Sequence, residues 1–181
     1  MAVSSRAHRK LTYEEWLDFP TEEGVRTELI DGEVSVAPEP TLRHQRIQTR
    51  LLVAFSVHLA AHGGGEIYPP INVRLDVDQG FAPDLVLLLD RGTDPLTYHG
   101  PPPLVIEIVS DQRRDLRIKR DRYERYGVGE YWAVLPEAEQ VQVFLLEDGR
   151  YATPVVIEAP GTLNTPLVPG LAIDIGALFA D

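Results

Sequence analysis

Apolar and polar positions divide the chain into segments of two periods. Thr12-Tyr13-Glu14-Glu15 has the form of a capping box, with Leu11 and Trp16 placed as a hydrophobic staple, which predicts a short helix ending near Phe19-Pro20. Residues 26–30 and 33–37 flank Asp31-Gly32, a pair that favours a type I′ turn, and predict a hairpin. Ile47, Leu51, Ala54, Phe55 and Leu59 recur at helical spacing, so residues 41–62 predict a long helix, stopped by Gly63-Gly64-Gly65. Residues 66–75 predict one or two strands broken at Pro69-Pro70. Residues 82–89 and 104–109 predict strongly apolar strands, 111–126 a helix and 130–135 another strand. Residues 140–146 and 151–157 predict a second hairpin about Asp148-Gly149, and residues 170–179 a strand followed by a short helix. This order predicts an α/β or α+β fold with one central mixed sheet: a single domain over residues 11–181 behind a flexible N-terminal arm, residues 1–10.

Composition narrows the chemistry. At 181 residues the chain can bury a full core, and with no cysteine it has no disulfide, thiolate metal site or cysteine nucleophile. Its apolar runs, such as residues 85–89, are too short to span a bilayer, and the first residues lack the apolar stretch of a signal peptide. A cytoplasmic protein without a membrane segment is the expectation. The net charge of −11 argues against broad, non-specific attraction to nucleic acid. The basic residues are almost all arginine, the two lysines being Lys10 and Lys119. Residues 111–125 form a local basic band, readable as a phosphate-facing surface or as a solvated face with internal ion pairs.

Three residues break the apolar pattern. Glu107 interrupts Leu104-Val105-Ile106-Glu107-Ile108-Val109, a run suited to a strand covered on both faces. A carboxylate buried there needs a metal, a cation or a proton, unless the strand is an edge with one wet face. Asp84 follows Pro83 at the entry to Leu85-Val86-Leu87-Leu88-Leu89, where a carboxylate could also serve local backbone bonds. Lys119 shares a helical stripe with Leu116, Tyr123 and Tyr126, so it points with the apolar face and either meets a carboxylate, Glu107 being the natural one, or snorkels to water. Carboxylates and a lysine converging near strand ends suit phosphodiester hydrolysis. Oxygen ligands hold Mg²⁺ or Mn²⁺, and a lysine orients water or stabilises developing negative charge. His58 and His62 have a metal-compatible spacing but no third ligand, and a solvated pair is expected.

Pro83-Asp84, then Glu107 in an apolar strand, then a lysine resembles the PD-(D/E)XK nuclease superfamily, with Val109 at the position where the strict form has its lysine. The chain is more closely similar to the Uma family of restriction-endonuclease-like proteins. The matching segments are Thr27-Glu28-Leu29-Ile30-Asp31-Gly32-Glu33, His44, Pro83-Asp84-Leu85-Val86, Glu107-Ile108-Val109-Ser110, Lys119 with Tyr123, Gly127 to Trp132, and Pro169-Gly170-Leu171. The resemblance covers roughly residues 11–180. It implies an α/β fold with a restriction-endonuclease-like core, a mixed sheet flanked by helices. It implies that Asp84 and Glu107 ligate Mg²⁺ or Mn²⁺ with the Ile108 carbonyl, that Glu28 assists, and that Lys119, displaced onto the following helix, acts on the water or the scissile phosphate. His44 matches a family histidine with no role assigned by the motif. The implied partner is nucleic acid, DNA first, cut by a homodimer. The competing expectation is a non-catalytic nucleic-acid-binding or interaction module on the same fold, with contacts from the arginine band. A third is a core ion pair between Glu107 and Lys119 without an active site.

Overall fold

The computed structural model describes residues 9–21, 25–36, 39–90 and 92–180. Most of the expected N-terminal arm, residues 1–8, lies outside the described residues. Helix α1 (Tyr13–Leu17) carries the expected capping box, with Thr12 accepting from the Glu15 amide and Glu15 from the Thr12 amide. Strands β1 (Thr27–Ile30) and β2 (Glu33–Val36) form the first hairpin, and Asp31 and Gly32 both take the positive φ of a type I′ turn. Helix α2 (Leu42–His62) is capped by Thr41 and ends at Gly63 with φ of 74°.

The chain then crosses between two sheets, and those crossings place the site. β3 (Glu66–Tyr68) belongs to a large sheet, whereas β4 (Asn72–Asp76) and β5 (Gln79–Phe81) belong to a smaller one. β6 (Leu85–Leu88) returns to the large sheet. β7 (Thr97–His99), which the apolar pattern did not reveal, pairs in parallel with β4. β8 (Leu104–Ile108) and β9 (Glu130–Leu135) form a parallel pair at the centre of the large sheet. β10 (Gln140–Glu147) pairs with β9 and, along its other side, with β11 (Arg150–Tyr151) and β12 (Val155–Glu158). β13 (Thr162–Leu163) and β14 (Ile173–Asp174) form a small ladder before helix α4 (Ile175–Phe179). The sheets are thus seven-stranded and mixed (β11-β10-β9-β8-β6-β3, with β12 on β10), five-stranded (β2-β1-β5-β4-β7) and two-stranded.

The expectation of one central sheet is corrected in this respect. The strands divide between sheets here: within residues 82–89 the strand is Leu85–Leu88, in the large sheet, whereas Gln79–Phe81 before it lies in the smaller one, and Ala82-Pro83-Asp84 is the crossing. Pro83 has no amide hydrogen to continue a ladder, and Pro69-Pro70 divides β3 from β4 in the same way.

Alternation along β8 sorts its side chains. Leu104, Ile106 and Ile108 face the core shared with Ile47, Leu51 and Phe55 of α2, while Val105 lies on the opposite face with Tyr123, Tyr131 and Phe144. The period of two places Glu107 on that second face, beneath the helix that follows β8.

That helix departs from the expected form. It opens as a π-turn over Arg114–Lys119 and continues as α3 (Arg120–Tyr126). The wider turn buries Asp115, Lys119 and Tyr123, whereas Leu116 and Tyr126 of the expected stripe are half-buried. Tyr131 donates its hydroxyl to the Asp115 carbonyl at 2.9 Å within this turn.

Candidate active site

Asp84 sits at the crossing between the sheets and is gripped from three sides. Thr41 Oγ1 accepts the His44 amide at 3.1 Å, fixing the first turn of α2. One turn apart on that helix, His44 Nε2 lies 3.0 Å from Asp84 Oδ2, and Gln48 donates to the Asp84 carbonyl at 2.7 Å. The Ile108 amide donates to Oδ2 at 2.8 Å. These bonds saturate Oδ2, while Oδ1 has Arg26 at 4.0 Å.

Glu107, 3% exposed, reaches the same cleft from β8. Lys119 Nζ lies 2.8 Å from both Glu107 Oε1 and Glu28 Oε1, and the Tyr123 hydroxyl donates to Glu107 Oε1 at 2.7 Å. Lys119 is itself buried, so it meets carboxylates rather than snorkelling, and the Glu107 strand is central rather than an edge. Glu28, on β1, also accepts the Ala82 amide at 3.2 Å, and its Oε2 is buried without a hydrogen-bond partner among the described residues. Beneath the helix, Asp115 accepts the amides of Ser110 and Asp111 at 3.0 and 3.1 Å.

Three carboxylates and one ammonium share a poorly solvated volume, and their proton affinities follow. Burial pushes the Glu107 carboxyl up to about 8, with Lys119 pulling the other way and Asp84, Glu28 and Asp115 adding to the rise. Burial works against the charge on Lys119, but Glu107, Glu28 and Asp115 outweigh it and raise its pKa. Asp84 also meets the burial penalty, yet His44, the Ile108 amide and Lys119 hold it below the ordinary carboxylate value. Burial, reinforced by Glu107 and Glu28, lifts Tyr123 well above its usual range, so it remains a donor.

A cavity of about 30 Å³ opens among these groups, lined by Glu28, His44, Asp84, Glu107, Arg114 and Lys119 among others. A water needs roughly 10–15 Å³, so the space suits one small ion with a water. Among the described residues no three His, Cys, Asp or Glu side chains converge as a ready-made metal cage. A hard divalent cation does not require one, since Mg²⁺ is commonly held by one or two carboxylates, waters and substrate phosphates. The oxygen-only carboxylate donors and the orphaned Glu28 Oε2 fit such an ion. Ile108, expected to offer a carbonyl, contributes its amide to Asp84.

The structure therefore brings Glu28, His44, Asp84, Glu107, Ile108 and Lys119 together at one seam. Gln48, Asp115, Arg26, Arg114 and the Tyr123 hydroxyl were not anticipated at the site. Of these, Gln48 had a signal: a polar residue one turn after His44, beside the apolar stripe. His58 and His62 stack at the surface 4.3 Å apart, and His58 Nε2 bonds the Pro169 carbonyl at 3.0 Å, an ordinary surface contact.

The family model described as "Uma2: Putative restriction endonuclease" matches residues 12–176. Among solved structures, a putative nuclease belonging to DUF820 from Anabaena variabilis ATCC 29413 is similar, with a TM-score of 0.80 and 19% identity over 94% of this chain and 98% of that one. At that identity the likeness speaks for the fold. No curated protein matches the sequence. No helix among the described residues is long and apolar enough to cross a membrane.

Proposed function

As a member of the Uma2 family of restriction-endonuclease-like proteins, this chain is, we propose, a metal-dependent nuclease that hydrolyses phosphodiester bonds in nucleic acid, with DNA the first substrate to test. The observation that carries this reading is the convergence of Glu28, Asp84 and Glu107 on one small cavity with Lys119 between two of them. Asp84 and Glu107 would hold Mg²⁺ or Mn²⁺, with Glu28 and the Ile108 carbonyl as further oxygen donors. Bound there, the ion would lower the pKa of water and neutralise phosphoryl charge.

The chain's own groups have separable tasks. His44, Gln48 and the Ile108 amide fix Asp84, so that Oδ1 is presented to the cavity without a search over rotamers. Lys119 keeps its proton and offers an ammonium to a non-bridging phosphate oxygen or to the attacking water. Tyr123 and Glu28 hold that ammonium and Glu107 in place. A homodimer cutting both strands of a duplex is the assembly this reading expects, and sedimentation of the pure protein tests it.

The direct test is cleavage of plasmid DNA and of RNA with Mn²⁺ by the wild type and by Asp84→Asn. Cutting by the wild type and loss in the folded variant supports the reading; equal cutting by both overturns it. One observation favours a second reading, a non-catalytic nucleic-acid-binding module: the Lys119 ammonium is already engaged by both Glu28 and Glu107. That reading expects metal-independent retention of nucleic acid, undiminished in Glu107→Gln.

A further inference from the structure

Arg114 stands at the mouth of the cleft and is the residue that this cleft shares with a long surface groove. Its guanidinium is half-buried and tightly held: Nε donates to Asp115 Oδ1 at 2.9 Å, and Nη2 donates to Ser110 Oγ at 3.1 Å. Asp115 is in turn fixed by the Ser110 and Asp111 amides, so the arginine is anchored on a carboxylate that cannot easily turn. Nε and Nη2 make these bonds, leaving Nη1 outside them. The neighbouring groove, about 500 Å³, lies between β2 and the π-turn and is lined by Ser35, Val36, Asp111, Arg113, Arg114 and Ile118. It runs into a second stretch of about 460 Å³ that shares Ser35, Arg114 and Ile118 and adds Lys10, Asp31 and Arg122.

The charges along this path are unevenly engaged. Asp31 is paired with Arg122 and Gln79, and Asp111 accepts the Arg114 amide, while Glu33 is an exposed acid at the far stretch. Away from the path, Arg120 is bound to Asp121 and stacks on Phe144, and Arg150 reaches Glu124. Arg113 and Arg117 are exposed, one turn apart, and make no ion pair among the described residues. In a chain of net charge −11, unpaired like charges at this spacing are unfavourable, and a bound polyanion would relieve them. The rigid Arg114 guanidinium at the mouth and the free Arg113 guanidinium in the groove beyond it offer successive positive charges to a polyanionic strand.

We infer that Arg114 is a phosphate-binding residue and that the groove between β2 and the π-turn carries the adjoining backbone of a nucleic-acid strand, with Arg113 as a second phosphate contact. The inference rests on the proposed nuclease reading for its ligand class, but its test is separate. Binding of a short fluorescein-labelled DNA duplex, and of its single strand, is followed by anisotropy in EDTA across a salt series, with Mn²⁺ titrated in parallel. Arg114→Ala and Arg113→Glu are expected to weaken binding about tenfold and to flatten the log–log salt slope by about 0.9 per lost contact on duplex, or about 0.7 on single strand. Arg150→Ala, an exposed control, is expected to change neither. Mn²⁺ affinity is expected to stay at the wild-type value in Arg113→Glu. Arg114→Ala strips the partner from buried Asp115 and could unfold the turn; Arg113→Glu, on an exposed position, keeps the test decisive. Wild-type affinity and slope in Arg113→Glu, or no DNA binding by a wild type that still binds Mn²⁺, overturns the inference and leaves the nuclease reading standing. Loss of DNA binding in Arg113→Glu, with a wild type that binds no metal, supports the groove and sinks the metal-dependent reading.

Discussion

Replacing Lys119 with methionine isolates the electrostatics of the site. The ammonium is 3% exposed and lies 2.8 Å from oxygens of both Glu28 and Glu107. Methionine fills most of the same volume, so the main loss is charge. Removing one partner of a buried ion pair typically costs about 3–5 kcal/mol, because the other is stranded without water or counter-charge. Here two carboxylates are stranded, against a total stability of about 5–15 kcal/mol for a domain. The folded variant can recover part of this by taking up protons. The folded-state pKa of Glu107 then stands still further above its unfolded value, so its contribution is favourable at low pH and is lost as pH rises through the folded pKa. Urea denaturation at pH 5 and pH 8 reads this directly. The expected result is a deficit of about 3–5 kcal/mol at pH 8 that shrinks at pH 5, with wild-type m-values. A deficit below about 1 kcal/mol at both pH values would refute the reasoning, since it would mean that the cluster is solvated.

In the wild type, the raised pKa of Glu107, about 8 against 4.5, predicts stability that is present below pH 4.5 and is lost as pH approaches 8; Glu107→Gln should lack this slope, and parallel pH profiles of the two would contradict it. His44→Ala removes one of two donors to Asp84 Oδ2, so Mn²⁺ affinity should fall about 10- to 100-fold with an unchanged circular dichroism spectrum. Unaltered affinity would remove His44 from the support of the site. Gly80→Ala places a methyl 2.7 Å from Trp16 Cζ3 and 2.8 Å from the Tyr13 ring, so α1 should be pushed off β5 at a cost of about 1–3 kcal/mol with a shift in Trp16 fluorescence. Wild-type emission and stability would show that the contact yields freely.

The carboxylates and the lysine were legible because each violates an apolar pattern: Glu107 inside a continuous strand and Lys119 on a core-facing stripe. A violation can be read from one segment alone. The partners that explain the violations could not, because they come from distant parts of the chain; Glu28 and His44 rested on the family resemblance, while Gln48 and Arg26 had nothing local to link them to Asp84. The two-sheet arrangement was hidden for a related reason. The apolar run at 82–89 marks the strand Leu85–Leu88, but only the pairing of the strands shows that the chain has just left a different ladder at Phe81. The π-turn was illegible because helical periodicity assumes 3.6 residues per turn. That assumption put Leu116 and Tyr126 inward, whereas the wider turn buries Asp115 instead. In the arginine band, Arg120 and Arg122 make ion pairs, while Arg113 and Arg117 are exposed.

Calorimetric titration of Mn²⁺ into the wild type and into Glu107→Gln, with both checked for folding, bears most directly on the claim that these carboxylates form a metal site. Glutamine preserves the shape and can still accept from Tyr123 and Lys119, so a change in heat reports the charge of one ligand. The account predicts saturable binding by the wild type and its loss in the variant. Equal binding by both proteins, or no binding by a folded wild type, would contradict it.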